Sequence, residues 1–144
     1  MADTDPFCTL EILALTAIGE SEDLGEVGMT QTINTIMNRT TADIGWMGGN
    51  DARAVCLQKG QYDCWDEGSG DRERILAIGL NHPAYGPYLV AVGIAERALA
   101  GTLVDTTNGA VSYVDGDTRA DIHPGSAPCL IVGDRKFYNL EAVA

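Results

Sequence analysis

Leu10-Glu11-Ile12-Leu13-Ala14-Leu15-Thr16-Ala17-Ile18-Gly19-Glu20-Ser21 is the stretch from which the fold is read. Leu10, Leu13, Ala14, Ala17 and Ile18 recur at helical spacing, so the segment predicts an apolar helix that delivers Glu20 at its exit. Desolvation at such a place can raise a carboxyl's pKa into the range a general acid needs. Acid chemistry on a polar, uncharged bond follows, and a glycosidic bond is the first candidate. Periodicity by itself is equally served by a carboxylate exposed at a helix end.

Outward from this segment, Met29, Ile33, Ile36 and Met37 mark a second helix that begins at Gly25 or Gly28 and closes on Asn38-Arg39. Residues 44–50 are glycine-rich and predict a loop, and Asp51 to Leu57 a short helix capped by Asp51. Further helices are predicted from Asp71 to Leu80 and from Tyr88 to Leu99, the latter stopping at Gly101. The texture then changes. Ala110–Val114, Cys129–Val132 and Lys136–Leu140 predict strands, with Gly133-Asp134 as a tight hairpin. The expected architecture is α+β, a helical body followed by a small antiparallel sheet. No repeat or composition shift divides the chain, so residues 1–144 are expected to form a single domain.

The chain has 9 basic and 21 acidic residues, a net charge of -12, and a pI near 4.3. Nucleic acid is excluded as a partner, because phosphate binding needs clustered Lys and Arg. Anionic membranes and anionic wall polymers are repelled too. A polyanionic substrate would have to be held by uncharged sugars, or where salt screens the repulsion. The start, Met1 to Pro6, is acidic, and the apolar run after it is short and broken by Glu11. Neither a signal peptide nor a membrane span is expected, and the chain should wait in the cytoplasm until released.

Cys8, Cys56, Cys64 and Cys129 could form two disulfides in any of three pairings, or remain reduced as small, partly buried hydrophobes. Without a signal peptide the reduced state is favoured. No Cys-x-x-Cys pair exists and Gly48-Gly49 has no following Lys-Ser/Thr, so neither a structural zinc nor a phosphate loop is expected, and no cofactor.

Four blocks carry a resemblance. They are Gly19-Glu20 with Gly28 and Asn38-Arg39; Gly60-Gln61-Tyr62-Asp63-Cys64-Trp65; Gly101 with Asp105-Thr106-Thr107-Asn108-Gly109-Ala110 and Tyr113; and Val132-Gly133-Asp134-Arg135-Lys136-Phe137-Tyr138. In this order, over nearly the whole chain, they resemble the SleB-type cell wall hydrolases, the family of spore-cortex lytic enzymes and related phage lysins. The chain departs from that family at Ser21, usually Ala, and at Leu24, where many relatives carry a second Glu. Asp115 to Ala127 has no good counterpart.

The resemblance implies a lysozyme-like enzyme that cleaves peptidoglycan between N-acetylmuramic acid and N-acetylglucosamine, with Glu20 as the catalytic residue. As a lytic transglycosylase it needs no second carboxylate; as a lysozyme it needs one, and Asp63 is the best placed by motif. Gln61, Tyr62 and Tyr113 are the expected substrate contacts, an amide for sugar hydroxyls and rings for pyranose faces, with loop amide and core-edge aromatics as the plainer alternative. Trp65 is expected as a core anchor, and Asn38-Arg39 as a brace for the second helix. A monomeric phage lysin is the expected setting.

Two rivals stay open. Cys56 or Cys64 with His123 could form a cysteine peptidase pair acting on wall peptides. Asp115, Asp117 and Asp121 alternate as calcium-loop ligands do, but the loop lacks the closing Glu, its place being taken by Ser126. A wall-binding module without catalysis is the remaining class.

Overall fold

A computed structural model of the chain describes residues 4–116 and 127–140. Helices α1 (Thr9–Ser21), α2 (Gly25–Ala42), α3 (Ala52–Leu57), α4 (Gly70–Leu76) and α5 (Tyr85–Leu99) precede strands β1 (Ala110–Asp115), β2 (Leu130–Val132) and β3 (Arg135–Asn139). Short 3-10 turns cover Glu22–Leu24, Gly45–Met47 and Asp63–Trp65. The fold is α+β.

Every residue of α1 from Ile12 to Ile18 is buried. A helix apolar on all sides belongs at the centre of a bundle, and α1 is packed by α2, α3, α4 and α5 together. Its first turn is closed by the Glu11 carboxylate, which accepts from the Cys8 backbone N–H at 3.0 Å. Trp65 takes the core place expected of it, its indole N–H donating to Thr16 Oγ1 at 2.8 Å.

The sheet runs in the order β1-β3-β2, antiparallel throughout. Val132 pairs with Arg135 across Gly133-Asp134, and Gly133 turns the chain at φ +57. A register irregularity lies between Ala110 and Ser112 on β1.

Asp51 caps α3 as expected, accepting from the N–H groups of Arg53 and Ala54. The strands differ from their expected bounds by one residue at an end, and the helical part differs at three places. Helix α4 ends at Leu76 rather than Leu80: Ile75 and Ile78 pack on the core, but Leu80 is 78% exposed and anchors no further turn. Helix α5 begins at Tyr85 rather than Tyr88, because Pro87 falls in the first turn, where its missing N–H costs nothing. The expected loop over residues 44–50 contains a 3-10 turn clipped by an Ile44–Gly49 bridge. There Gly48 adopts φ +110, and a Cβ would fall 2.6 Å from the Val55 backbone, so only glycine fits.

Candidate functional site

Helix α1 ends against β1 and the Asp63–Trp65 turn, and Glu20 projects from its last turn into that corner. One carboxylate oxygen accepts from the Tyr113 hydroxyl at 2.5 Å, the other from the Cys64 backbone N–H at 3.1 Å. Burial pushes the Glu20 pKa above the ordinary carboxyl range; the two hydrogen bonds oppose this, and the charge of Asp63 adds to it. Burial likewise raises the Tyr113 phenol, so that hydroxyl is a donor throughout the neutral range. Tyr113, expected as a sugar contact, thus has its hydroxyl engaged by the Glu20 carboxylate.

The glycine before Glu20 has a packing reason. A Cβ on Gly19 would lie 2.5 Å from Cys64 Cβ and 2.8 Å from its Sγ, displacing the turn whose N–H holds the carboxylate. Gly19→Ala is expected to destabilise the protein by about 1–3 kcal/mol. It should also lower activity per folded molecule, as read by thermal melting alongside initial rates.

Tyr62 requires a correction. Expected as a sugar contact, it is 2% exposed, its hydroxyl 3.0 Å from Thr35 Oγ1 and its ring face covered by the Arg39 guanidinium at 4.8 Å. The ring fills the core, and burial pushes its pKa up to about 12. Gln61 is partly buried, and its amide oxygen accepts from Arg39 at 3.1 Å. Arg39 also donates to the Val111 carbonyl, while Asn38 donates to the Ala110 carbonyl at 2.8 Å. These two residues therefore pin α2 to β1 and to the Gln61 loop.

The block Asp105 to Ala110 is a braced turn. Asp105 accepts from the N–H and hydroxyl of Thr107, the N–H of Gly109 and the amide of Asn38. Partial burial works against its charge, but those bonds prevail and hold the carboxyl below its usual pKa. Asn108 and Gly109 take positive φ values of +58 and +80, the conformation that explains an Asn-Gly pair there. The brace fixes where β1 starts, and so where Tyr113 points.

Against the end of α1 lies a residue of the fourth block for which no role was expected. Arg135 is 5% exposed and binds both oxygens of Asp115, at 2.6 and 3.0 Å. A cleft of about 260 Å³ adjoins it, lined by Leu24, Val27 and Gln31 on one side and Val132, Gly133 and Asp134 on the other. Neither Gln61, Tyr62 nor Tyr113 lines this cleft.

The rival sites fare differently. Cys56 and Cys64 are buried free thiols; burial pushes Cys56 up to about 12 and Cys64 higher still, far from a reactive thiolate. His123 lies outside the described residues, as do Asp117, Asp121 and Ser126 of the acidic turn, while the Asp115 carboxylate is engaged by Arg135. A thiol reagent should modify exposed Cys8 in the native protein and reach Cys56 and Cys64 only after unfolding, as read by peptide mass mapping. Among the described residues no group of three or more His, Cys, Asp or Glu is arranged to hold a metal. No described helix is long and apolar enough to cross a membrane.

A family model described as Cell Wall Hydrolase matches residues 23–138. The matched span takes in Gln61, Tyr62, Tyr113 and Arg135 and begins just after Glu20. No curated protein and no solved structure gives a significant match.

Proposed function

We propose that this chain, which belongs to the cell wall hydrolase family, is a lytic transglycosylase whose acid and base are both Glu20. Membership of the family implies an enzyme acting on peptidoglycan. The observation that carries the finer reading is the Glu20 carboxyl itself, raised in pKa by burial yet met by two donors, Tyr113 O–H and Cys64 N–H.

The two features suit two halves of a reaction. Burial favours the protonated form, the one that can donate to the oxygen linking N-acetylmuramic acid to N-acetylglucosamine. Once the proton has left, the carboxylate is stabilised by donors already in place, so no reorganisation is needed as its charge forms. Glu20 then takes the proton of the muramyl C6 hydroxyl as that oxygen closes on C1, giving a 1,6-anhydro sugar. Water is not consumed, and one carboxyl suffices. Leu24, where many of the resembled enzymes carry a second Glu, offers an apolar side chain to the cleft.

A hydrolytic muramidase is the second reading, favoured by Asp63, an exposed carboxylate near enough for its charge to raise Glu20. The phage-lysin setting is part of the proposal: expressed alone in a bacterial cytoplasm the protein should be harmless, and with a membrane pore it should lyse the cell.

The rate should fall as pH rises through the raised Glu20 pKa, because the acid form is lost. Stability follows the same sign. A carboxyl whose pKa is higher folded than unfolded contributes stability that is complete below the unfolded value and lost as pH rises through the folded one. Glu20→Gln should therefore melt higher than wild type at neutral pH, with the gain vanishing in acid. Tyr113→Phe, which removes a bond to the carboxylate, should move the alkaline limb of the rate upward.

Mass spectrometry of soluble products from purified peptidoglycan tests the function. Saccharide fragments that keep their peptide stems are expected. Free stem peptides would overturn the glycosidase reading, and stoichiometric binding without any product would indicate a wall-binding module.

A further inference from the structure

We propose that Arg135 is a positioning residue, whose guanidinium holds the Tyr113 ring and the end of α1 so that the Tyr113 hydroxyl stays on Glu20. The inference rests on the catalytic role of Glu20 given above.

The guanidinium lies 4.1 Å from the Tyr113 ring centroid. Its donors are fully engaged. Nε and one terminal nitrogen bind Asp115 at 2.6 and 3.0 Å, and that same nitrogen reaches the backbone carbonyl of Glu20 at 3.3 Å. The other terminal nitrogen donates to Ser21 Oγ at 2.8 Å and to Thr32 Oγ1 at 3.5 Å. Ser21 and Thr32 are themselves joined at 2.6 Å. One side chain from β3 thus fixes Glu20 and Ser21 on α1, Thr32 on α2, and Tyr113 and Asp115 on β1.

A guanidinium that is 5% exposed with every donor engaged has nothing left for a sugar. It can act only through what it holds. A salt bridge across β1 and β3 would suffice to pair the strands, yet this cation also touches the two partners of the catalytic hydrogen bond. A cation against the ring face is held there by the ring quadrupole, and its field makes the phenol a stronger donor. Lysine cannot reproduce the arrangement, because it lacks the planar fork that spans Asp115 and Glu20 at once.

The test is a double-mutant cycle between Arg135→Lys and Tyr113→Phe, read as kcat and KM on soluble glycan strands. Arg135→Lys is expected to lower kcat by about tenfold or more, since small displacements of reacting groups are costly. KM should stay within about twofold, as for an interaction made only in the transition state. In the Tyr113→Phe background the same change should cost under about twofold, because the hydroxyl it positions is gone.

Equal losses in both backgrounds, a rise in KM alone, or no loss in either would overturn the proposal. Asp115→Asn keeps the test decisive if Arg135→Lys does not fold, because it leaves the buried guanidinium in place and changes a side chain that is 60% exposed. It loosens the fork, so a smaller fall in kcat is expected, again absent with Tyr113→Phe. Glu20→Gln separates the two levels: if it remains active the glycosidase reading fails, whereas additive effects with an inactive Glu20→Gln overturn only the role of Arg135.

Discussion

Glu20→Gln is expected to slow glycan release from purified peptidoglycan by about 10²- to 10⁴-fold, the usual contribution of a positioned acid and base. The substitution keeps shape and removes the acidic proton that catalysis transfers. Its amide oxygen can accept from the Cys64 N–H while its NH₂ faces the Tyr113 oxygen, which can accept as well as donate. The fold should therefore survive, and the higher melting temperature expected at neutral pH serves as an internal check. A folded, more stable and inactive protein is the signature of a carboxyl held in a costly environment for function. Turbidity loss of purified sacculi, with circular dichroism on the same samples, measures both.

Arg39→Met should produce the largest loss of stability, about 2–4 kcal/mol. Arg39 is a 5% exposed cation held by the Val111 carbonyl, the Gln61 amide oxygen and the Tyr62 ring. Methionine of similar length would fill the space but leave the buried Val111 carbonyl without that donor, at about 1–3 kcal/mol, with a smaller loss at the partly buried Gln61 oxygen. Val111 lies at the register irregularity of β1, so loosening it should also disturb Tyr113, two residues on. Urea unfolding reads the stability; a change under about 1 kcal/mol would mean that Arg39 is dispensable.

The helical body was legible because α1, α2 and α5 carry apolar residues at helical spacing, and the sheet because its strands are short apolar runs around Gly133-Asp134. Boundaries were legible only where a local signal existed: Asp51 announces the start of α3, whereas the end of α4 depends on Leu80 finding nothing to pack against. Glu20 stood out by its place at a helix exit, and Tyr113 by its block. Tyr62 did not reveal its burial, because an aromatic in a loop segment looks the same whether it faces sugar or Thr35 and Arg39.

Arg135 was hidden for a related reason. With β1 expected to end at Val114, its cross-strand partner Asp115 fell outside the sheet, and an ion pair that buries Arg135 could not be foreseen. The backbone N–H of Cys64 has no sequence signature at all; its role follows from the Asp63–Trp65 turn meeting the end of α1. Site geometry of this kind is tertiary, and periodicity does not encode it.

Digestion of purified peptidoglycan in water enriched in heavy oxygen tests most directly whether one carboxyl, Glu20, cleaves the glycan without water. The expected products are muropeptides lighter by one water than their reducing counterparts and free of the label, since the C6 hydroxyl closes the bond. Reducing muropeptides carrying one heavy oxygen at the muramyl end would contradict it, making the enzyme a muramidase and moving attention to Asp63.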